Sequence, residues 1–257
     1  MIGDAMGWRM VASENYDIAN KFRDYVTDPA NWHGPDGVPT RILEHLEYTV
    51  LAVAIASAIA LPLGLLIGHT GRAAFLAINL GNAARAIPTM GLLVLAVTWR
   101  GIGLIPVLIA LVALAIPPVL TATYAGIQSV EPATVTAARG MGLSERQVLQ
   151  LVEIPIALPL ILSGIRSATV QVIATATIAA YVALGGLGRL LIDGLSVRDY
   201  GKMTFGALLV ALVAIGADVL FALIIRYGTS PGLTGRARSG ASPIPNPAQP
   251  VGAASAA

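Results

Sequence analysis

The sequence predicts an all-α membrane protein with five transmembrane spans, and two observations lead to this prediction. Of the 257 residues, 56% are hydrophobic and only 12% are charged, and the mean hydropathy is +0.75. Soluble domains carry about a quarter charged residues. In addition, apolar runs of the length that crosses the ~30 Å hydrocarbon core, ~20 helical residues, follow one another along the chain. The bilayer therefore supplies much of the burial in this fold.

Each predicted span is bounded by glycine, proline or charged residues. The five spans are Tyr48–Ile67, Ala73–Thr98, Leu104–Thr123, Ile156–Leu184 and Met203–Ile225. The second and fourth are longer than a perpendicular helix requires. Pro88 and Pro159 lie in these two runs and predict a kink or a broken helix that absorbs the excess length. Because five is odd, the two termini are expected on opposite faces of the membrane.

The two ends of the chain differ in composition from this transmembrane domain of residues 48–227. Residues 1–47 are net acidic and carry Ile18, Phe22, Tyr25 and Val26 at helical spacing. This spacing favours a short amphipathic helix on the membrane surface or on the bundle, and a loosely ordered tail is the alternative. Residues 228–257 are rich in Pro, Gly, Ser and Ala, which predicts a disordered tail. A small excess of Lys and Arg on one face favours an outside N-terminus and an inside C-terminus.

Several classes of function are disfavoured by the composition. The chain has no cysteine, which excludes disulfides, thiol catalysis and Cys-ligated zinc. Its basic residues are scattered, so no nucleic-acid partner is expected. No phosphate-binding loop is present, since Gly201-Lys202 is followed by Met203 rather than by Ser or Thr. The three histidines lie in the tail or at span ends, which disfavours a hydrolase. We therefore expect no catalytic, metal or cofactor site on this chain, and any ATPase activity on a partner.

The segment Glu131–Pro155, between the third and fourth spans, predicts two short helices around a turn. Pro132 suits the first position of a helix, where a missing N–H costs nothing. Gly140 and Gly142 break that helix, and Ser144 begins a second one at Glu145–Glu153. The first helix has small side chains, which permit close approach by another surface. Composition alone fits a docking helix or a plain hairpin between spans.

This segment resembles the EAA loop of ABC importer permeases, whose pattern is Glu-Ala-Ala-x3-Gly-x9-Ile-x-Leu-Pro. Four positions fall in register, and three depart from the pattern. The matches are Ala137, Ala138, Gly142 and Pro155, and the departures are Thr136 for Glu, Val152 for Ile and Ile154 for Leu. Thr136 removes a charge, so any ion pair that this Glu makes with an ATPase in relatives is doubtful here. The resemblance implies a cytoplasmic coupling-helix loop that contains Thr136, Ala137, Ala138, Arg139, Gly140, Gly142, Glu153 and Pro155.

Further motifs over about residues 43–191 look like permeases for glycine betaine, carnitine, choline, proline and related osmoprotectants. They are Ala86–Met90, Ala138–Gly142, Val152–Leu162, Gly164–Ala168 and Gly185–Gly188. The resemblance implies a five-span type I ABC importer permease core in the cytoplasmic membrane of a prokaryote. It also implies two ATPase subunits that hold ATP and magnesium, a second permease copy or paralogue, and an extracytoplasmic solute-binding protein.

Three other functions remain as alternatives at this point. The first is an ABC permease for another small solute, such as the amino acid methionine. The second is an ATP-independent secondary transporter, whose broken helices at Pro88 and Pro117-Pro118 would form a midplane site. The third is a membrane scaffold.

Polar residues inside the spans are candidates for the transport pathway, since a charge at the centre of a span costs ~2.5–3.5 kcal/mol on insertion scales. The candidates are Arg85, Pro88, Arg166, Ser167, Gln171, Thr175 and Asp218. Arg85 either lines the pathway or snorkels to the interface. Arg166 and Asp218 are expected in the same half of the bilayer, and we predict that they pair with a role in packing.

Ser167, Gln171 and Thr175 share one helical face. They border the pathway or form interhelical hydrogen bonds. The Gly185–Gly188 segment is either a flexible gate or an ordinary turn. The few aromatic residues suggest no cation–π cage, so selectivity is expected in the binding protein.

Overall fold

The structure is a computed structural model that describes residues 18–72, 75, 79 and 88–228. Apart from short turns, residues 18–72 and 88–228 are helical. The α-helices are α1 (residues 18–27), α2 (Val38–Thr70), α3 (Thr89–Arg100), α4 (Leu104–Gln128), α5 (Pro132–Gly140), α6 (Glu145–Val148), α7 (Ile154–Thr175), α8 (Gly188–Ser196) and α9 (Tyr200–Gly228). A π-helical turn, Leu149–Glu153, joins α6 to α7, and 3-10 turns occupy Pro29–Trp32 and Ala176–Val182.

Four helical stretches in the described residues are long and apolar enough to cross a membrane. They are Val38–Thr70, Leu104–Gln128, Glu145–Val182 and Tyr200–Gly228, and they contain most or all of the predicted first, third, fourth and fifth spans. The shorter apolar helix α3 holds the second half of the predicted second span. Most of the first half of that span, including Arg85, lies outside the described residues. Pro88 directly precedes α3 in an extended conformation, so α3 begins at this proline.

The helix of the first span is longer than the apolar run that predicted it. It begins at Val38 rather than Tyr48, and its first turns are packed, since Val38 and His45 are fully buried. Hydropathy marks the part of a helix that suits lipid, whereas the helix itself continues wherever other parts of the protein cover it. For this reason the hydropathy pattern did not predict the charged first turns of α2 as part of the helix.

The central helix α4 lies between α2 and α7, and small residues bring these three helices together. The shared core contains Ala52, Ala56, Ala60, Ala110, Ala115 and Ala168. A Cβ atom on Gly64 of α2 would lie 2.7 Å from the Thr123 Cβ of α4, closer than real contacts allow. Small side chains at such crossings permit the close backbone approach that holds membrane helices together.

Helix α1 packs on the bundle, which settles the alternatives left open for the N-terminal segment. The ring centroids of Phe22, Tyr25 and Trp32 lie 5.9, 5.4 and 6.0 Å from that of Phe205 on α9. Gly201 makes this approach possible, because a Cβ there would overlap the α1 backbone at Lys21 and Phe22. Three of the four residues predicted to form an amphipathic face, Phe22, Tyr25 and Val26, therefore pack against protein.

The structure contradicts one predicted helix end, and also one helix break that was expected only for the alternative of a secondary transporter. The second loop helix does not end at Glu153, because α6, the π turn and α7 run on as one helical stretch, Glu145–Val182. The wide π turn lies just before Pro155, where it accommodates a residue without an N–H. Likewise, Pro117 and Pro118 lie inside the continuous helix α4 and do not break it. The broken helix expected there for a secondary transporter is therefore not present.

Candidate functional site

The loop between α4 and α7 has the predicted helix–turn–helix form. Glu131 is the extended N-cap residue of α5, and Pro132 is its first helical residue. The turn after α5 passes through Gly142 at φ +87°, in the left-handed region that favours glycine. Ser144 then begins α6, and its backbone N–H donates to the Gln147 side chain at 2.9 Å, as in a capping box.

Helix α5 is mostly exposed, with Ala138 as its one buried residue. Ala137 and Thr136 are exposed, and Met141 at the tip is 75% exposed. The Thr136 hydroxyl donates to the Pro132 carbonyl oxygen at 2.9 Å, within the helix. The position that carries Glu in the pattern therefore presents a small, uncharged side chain at the surface.

Arg139 and Glu145 tie the two helices of the loop together. The Arg139 Nε and Nη2 atoms donate to the two carboxylate oxygens of Glu145, at 2.9 and 2.8 Å. These hydrogen bonds raise the pKa of Arg139 further above its ordinary value. A bidentate pair of this kind fixes direction as well as distance. Helix α5 is thereby held against α6, which continues as the spanning helix α7.

Glu153 is buried, and its partner comes from a distant part of the chain. The Glu153 Oε2 atom lies 2.6 Å from the His69 Nδ1 atom at the end of α2. The other ring nitrogen of His69 lies 3.3 Å from Glu145 Oε2. Sequence reasoning selected Arg139 and Glu153 but missed His69 and Glu145. A histidine 84 residues away in sequence gives no local signal, and only packing of α2 beside the loop shows the contact.

Arg166 and Asp218 form the predicted pair within the membrane-spanning region. The Arg166 Nε and Nη2 atoms each donate to a carboxylate oxygen of Asp218 at 2.6 Å. Side chains in this pair are about one third and two fifths exposed at the surface of the single chain. Since exposure of charge to lipid is costly, this face is expected to meet protein or water.

Beside this pair, α7 and α9 border an open cavity of about 460 Å³. Its lining consists of Ser163, Arg166, Ser167, Val170, Gln171, Ala174 and Asp218. The structure thus brings four of the predicted pathway residues to one cavity: Arg166, Ser167, Gln171 and Asp218. Thr175 is not among the lining residues, and Pro88 lies at the start of α3.

At the opposite end of the bundle, the Gly185–Gly188 segment is held to α2. The backbone N–H of Gly186 donates to the Glu44 carboxylate at 2.7 Å, and Arg41 donates to the same oxygen at 2.9 Å. Gly186 has φ +85°, which requires glycine or a strained residue. Of the two alternatives for this segment, these contacts favour a fixed turn.

Comparisons with known proteins match this architecture. A family model described as "Binding-protein-dependent transport system inner membrane component" matches residues 60–227. The glycine betaine/carnitine/choline transport system permease protein OpuCB of Bacillus subtilis (strain 168) is 32% identical over 192 residues, covering 75% of this chain and 88% of the relative. The osmoprotectant import permease protein OsmW of Salmonella typhimurium is 36% identical over 182 residues, covering 69% and 85%.

Solved structures share the fold at lower identity. An inward-facing structure of the MetNI methionine ABC transporter superposes with a TM-score of 0.67 at 21% identity. The superposition covers 74% of this chain and 95% of the matched chain. An amino acid ABC transporter chain gives a TM-score of 0.59 at 22% identity, covering 73% and 92%.

Proposed function

Since this chain belongs to the family of binding-protein-dependent transport system inner membrane components and is a membrane-spanning subunit of an ABC importer, we propose that its solute is a quaternary ammonium osmoprotectant. Glycine betaine, carnitine and choline appear in the names of relatives that match about three quarters of this chain. This agreement among relatives supports the substrate class.

The loop of Glu131–Pro155 is the proposed contact with the partner ATPase, which holds ATP and magnesium. The observation that supports this role is mechanical: an exposed helix, α5, is tied through Arg139 and Glu145 to a helix that continues into the membrane. A displacement of α5 by the ATPase is therefore passed directly to α7. The small side chains at Ala137 and Thr136 allow α5 to enter a groove closely.

The open cavity beside Arg166 and Asp218 is the proposed border of the translocation pathway. Ser167 and Gln171 supply polar groups to a solute, while the Arg166–Asp218 pair holds α7 against α9. A second permease, identical or a paralogue, would cover this face. Among the described residues that line the cavity none is aromatic, so they offer no cation–π cage, and selectivity belongs to the extracytoplasmic binding protein.

Transport then follows from alternating access between two arrangements of the permease pair. ATP binding closes the ATPase dimer and moves α5, and the spans of the two permeases rock to open outward and receive solute from the binding protein. Hydrolysis returns the inward-open state. In this proposal the N-terminus is outside and the C-terminus inside, in the cytoplasmic membrane of a prokaryote.

Uptake into proteoliposomes tests this function. The permease, its partner ATPase and its binding protein are reconstituted with ATP inside, and labelled glycine betaine, carnitine, choline, proline and methionine are compared. We expect uptake of at least one quaternary ammonium solute that requires both ATP and the binding protein. Uptake of methionine alone would contradict the substrate class, and uptake without ATP would contradict the energy source.

A further inference from the structure

His69 lies in the last turn of α2 and faces two carboxylates of the loop. Its Nδ1 atom is 2.6 Å from Glu153 Oε2, and its Nε2 atom is 3.3 Å from Glu145 Oε2. The His69 and Glu153 side chains are only 13% and 6% exposed. The Nδ1 contact is a hydrogen bond, and the Nε2 contact is within ion-pair distance. The ring thus bridges two acids.

Four helical elements are connected through this ring. His69 belongs to α2, Glu145 to α6 and Glu153 to the π turn, and Glu145 also receives two hydrogen bonds from Arg139 of α5. A continuous path of polar contacts therefore runs from the end of the first span to the exposed helix α5. The other close packing of α5 is with α6 and the π turn that follows α6.

The end of α2, which carries His69, is packed closely against the end of α4. The Gln128 side chain at the end of α4 donates to the Gly68 carbonyl oxygen at 2.8 Å. A Cβ atom on Gly68 would lie 2.7 Å from the Ile127 Cβ, so the two helices are in direct contact at this level. His69 is therefore attached to a pair of spans that cross closely, rather than to a loose helix end.

We propose that His69 is a positioning residue, which sets the direction of α5 and couples its movement to the first span. This inference rests on the proposed function of α5 as the ATPase contact. A buried carboxylate without a donor is strongly unfavourable, so loss of the ring forces Glu153 and the π turn to rearrange. Because α6 runs directly into the π turn and holds α5 through Glu145, α5 then loses its fixed direction.

Substitutions at His69 can remove its contact with Glu153 and its contact with Glu145 separately. An asparagine amide nitrogen takes approximately the place of Nδ1 and keeps a donor for Glu153. A glutamine amide reaches approximately the place of Nε2 and keeps a donor for Glu145, leaving the buried Glu153 unpaired. His69→Ala removes both. His33→Asn is the matched control, since this exposed histidine lies at the opposite end of the bundle beside the Pro29 carbonyl oxygen.

The first measurement reports the position of the loop without an ATPase. The chain contains no cysteine, so Met141→Cys at the exposed tip accepts one nitroxide label in the full-length protein. In lipid vesicles, we expect the label to become more mobile in His69→Ala and His69→Gln. It should remain near the parental mobility in His69→Asn and His33→Asn. Equal spectra in His69→Ala and the parent would overturn the inference.

The second measurement uses the complete transporter, without the label. Binding-protein-stimulated ATP hydrolysis should fall about tenfold in His69→Ala, as for loss of one hydrogen bond to a charged group, and recover to within about twofold in His69→Asn. If His69→Ala fails to fold, the comparison of His69→Asn with His69→Gln decides, and equal behaviour of these two overturns the inference. A mobile label with unchanged stimulation would confirm positioning by His69 and contradict the docking role of α5.

Discussion

Arg166 on α7 and Asp218 on α9 are joined by two hydrogen bonds of 2.6 Å, side by side within the membrane-spanning region. The pair connects two spans whose sequences are 52 residues apart at this point. It also lines the same cavity as Ser167 and Gln171. One contact thus links the packing of the bundle to the proposed pathway.

Removal of one charge from this pair should impair assembly of the permease. In Asp218→Asn, the Arg166 guanidinium stays charged inside the membrane without its carboxylate, which is a costly state. We expect a several-fold lower yield of folded protein, measured by size-exclusion chromatography, and lower uptake. The double variant Arg166→Gln with Asp218→Asn should recover most of the yield.

The matched control for this prediction is Asp193→Asn, at an acid that pairs with Arg189 on the short helix α8. Its loss should have little effect on yield, because this pair lies between the fourth and fifth spans rather than within one, so the unpaired Arg189 is not left inside the membrane. Normal folding and transport of Asp218→Asn would show that the intramembrane pair is dispensable.

Two neighbouring glycines of the loop should respond differently to the same small substitution. Gly142 has φ +87°, whereas Gly140 ends α5 without a positive φ, and neither has atoms within 4 Å of a built Cβ. Gly142→Ala therefore strains the turn by about 1–2 kcal/mol without any clash. We expect it to lower binding-protein-stimulated ATPase activity severalfold, and Gly142→Trp to abolish it, with insertion into the membrane retained. Gly140→Ala should behave as the parent, and equal effects of the two alanine variants would refute this explanation.

A bulky residue at Ala138 tests the same loop from its buried side. Ala138 is 2% exposed, so Ala138→Leu has no room and must push α5 away from its support. We expect a loss of stimulated ATPase activity with normal membrane insertion, as judged from the membrane fraction. Ala137→Leu is the control for folding, because Ala137 is exposed and tolerates the same side chain in the isolated permease. Parental stimulation in Ala138→Leu would contradict the coupling role.

Restoring the charge of the EAA pattern should weaken coupling in this protein. Thr136→Glu places a carboxylate on the exposed face of α5, where the native side chain is neutral and bonded to Pro132. A groove of the partner ATPase that is matched to threonine would leave this carboxylate without a counter-charge, which weakens the binding of α5 to the ATPase. We expect reduced ATPase stimulation. Thr134→Glu adds the same charge about 200° around the helix and should have a smaller effect. Increased stimulation in Thr136→Glu would show that the partner retains a basic groove.

The contact of α1 with the bundle depends on Gly201. A Cβ at this position overlaps the backbone of Lys21 and Phe22, whereas Gly216 on the same helix has open space around it. Gly201→Ala should therefore release α1, and Gly216→Ala should not. Faster trypsin cleavage at Arg23 in sealed vesicles would report the release. Equal cleavage rates in both variants would mean that α1 is held by other contacts.

Local sequence patterns were sufficient for the features that depend on neighbours in the chain. The helix starts at Pro132 and Glu145, the turn at Gly142 and the capping of Ser144 by Gln147 each follow from residues within a few positions. The pair Arg166–Asp218 was predictable as well, because intramembrane charges have few possible partners. By contrast, the expected end at Glu153 failed because a π turn allows the helix to continue into Pro155.

The sequence by itself determined the class of fold, the approximate positions of four spans in the described residues and the loop with its family resemblance. These features depend on hydropathy, helical periodicity and local capping, and each of these properties is set by residues that are close together in the sequence. Only the tertiary structure decided that Phe22 and Tyr25 pack on Phe205, that Glu44 holds Gly186, and that His69 bridges Glu145 and Glu153. Such contacts join residues far apart in the chain, and their geometry is fixed by how closely small residues let the helices cross.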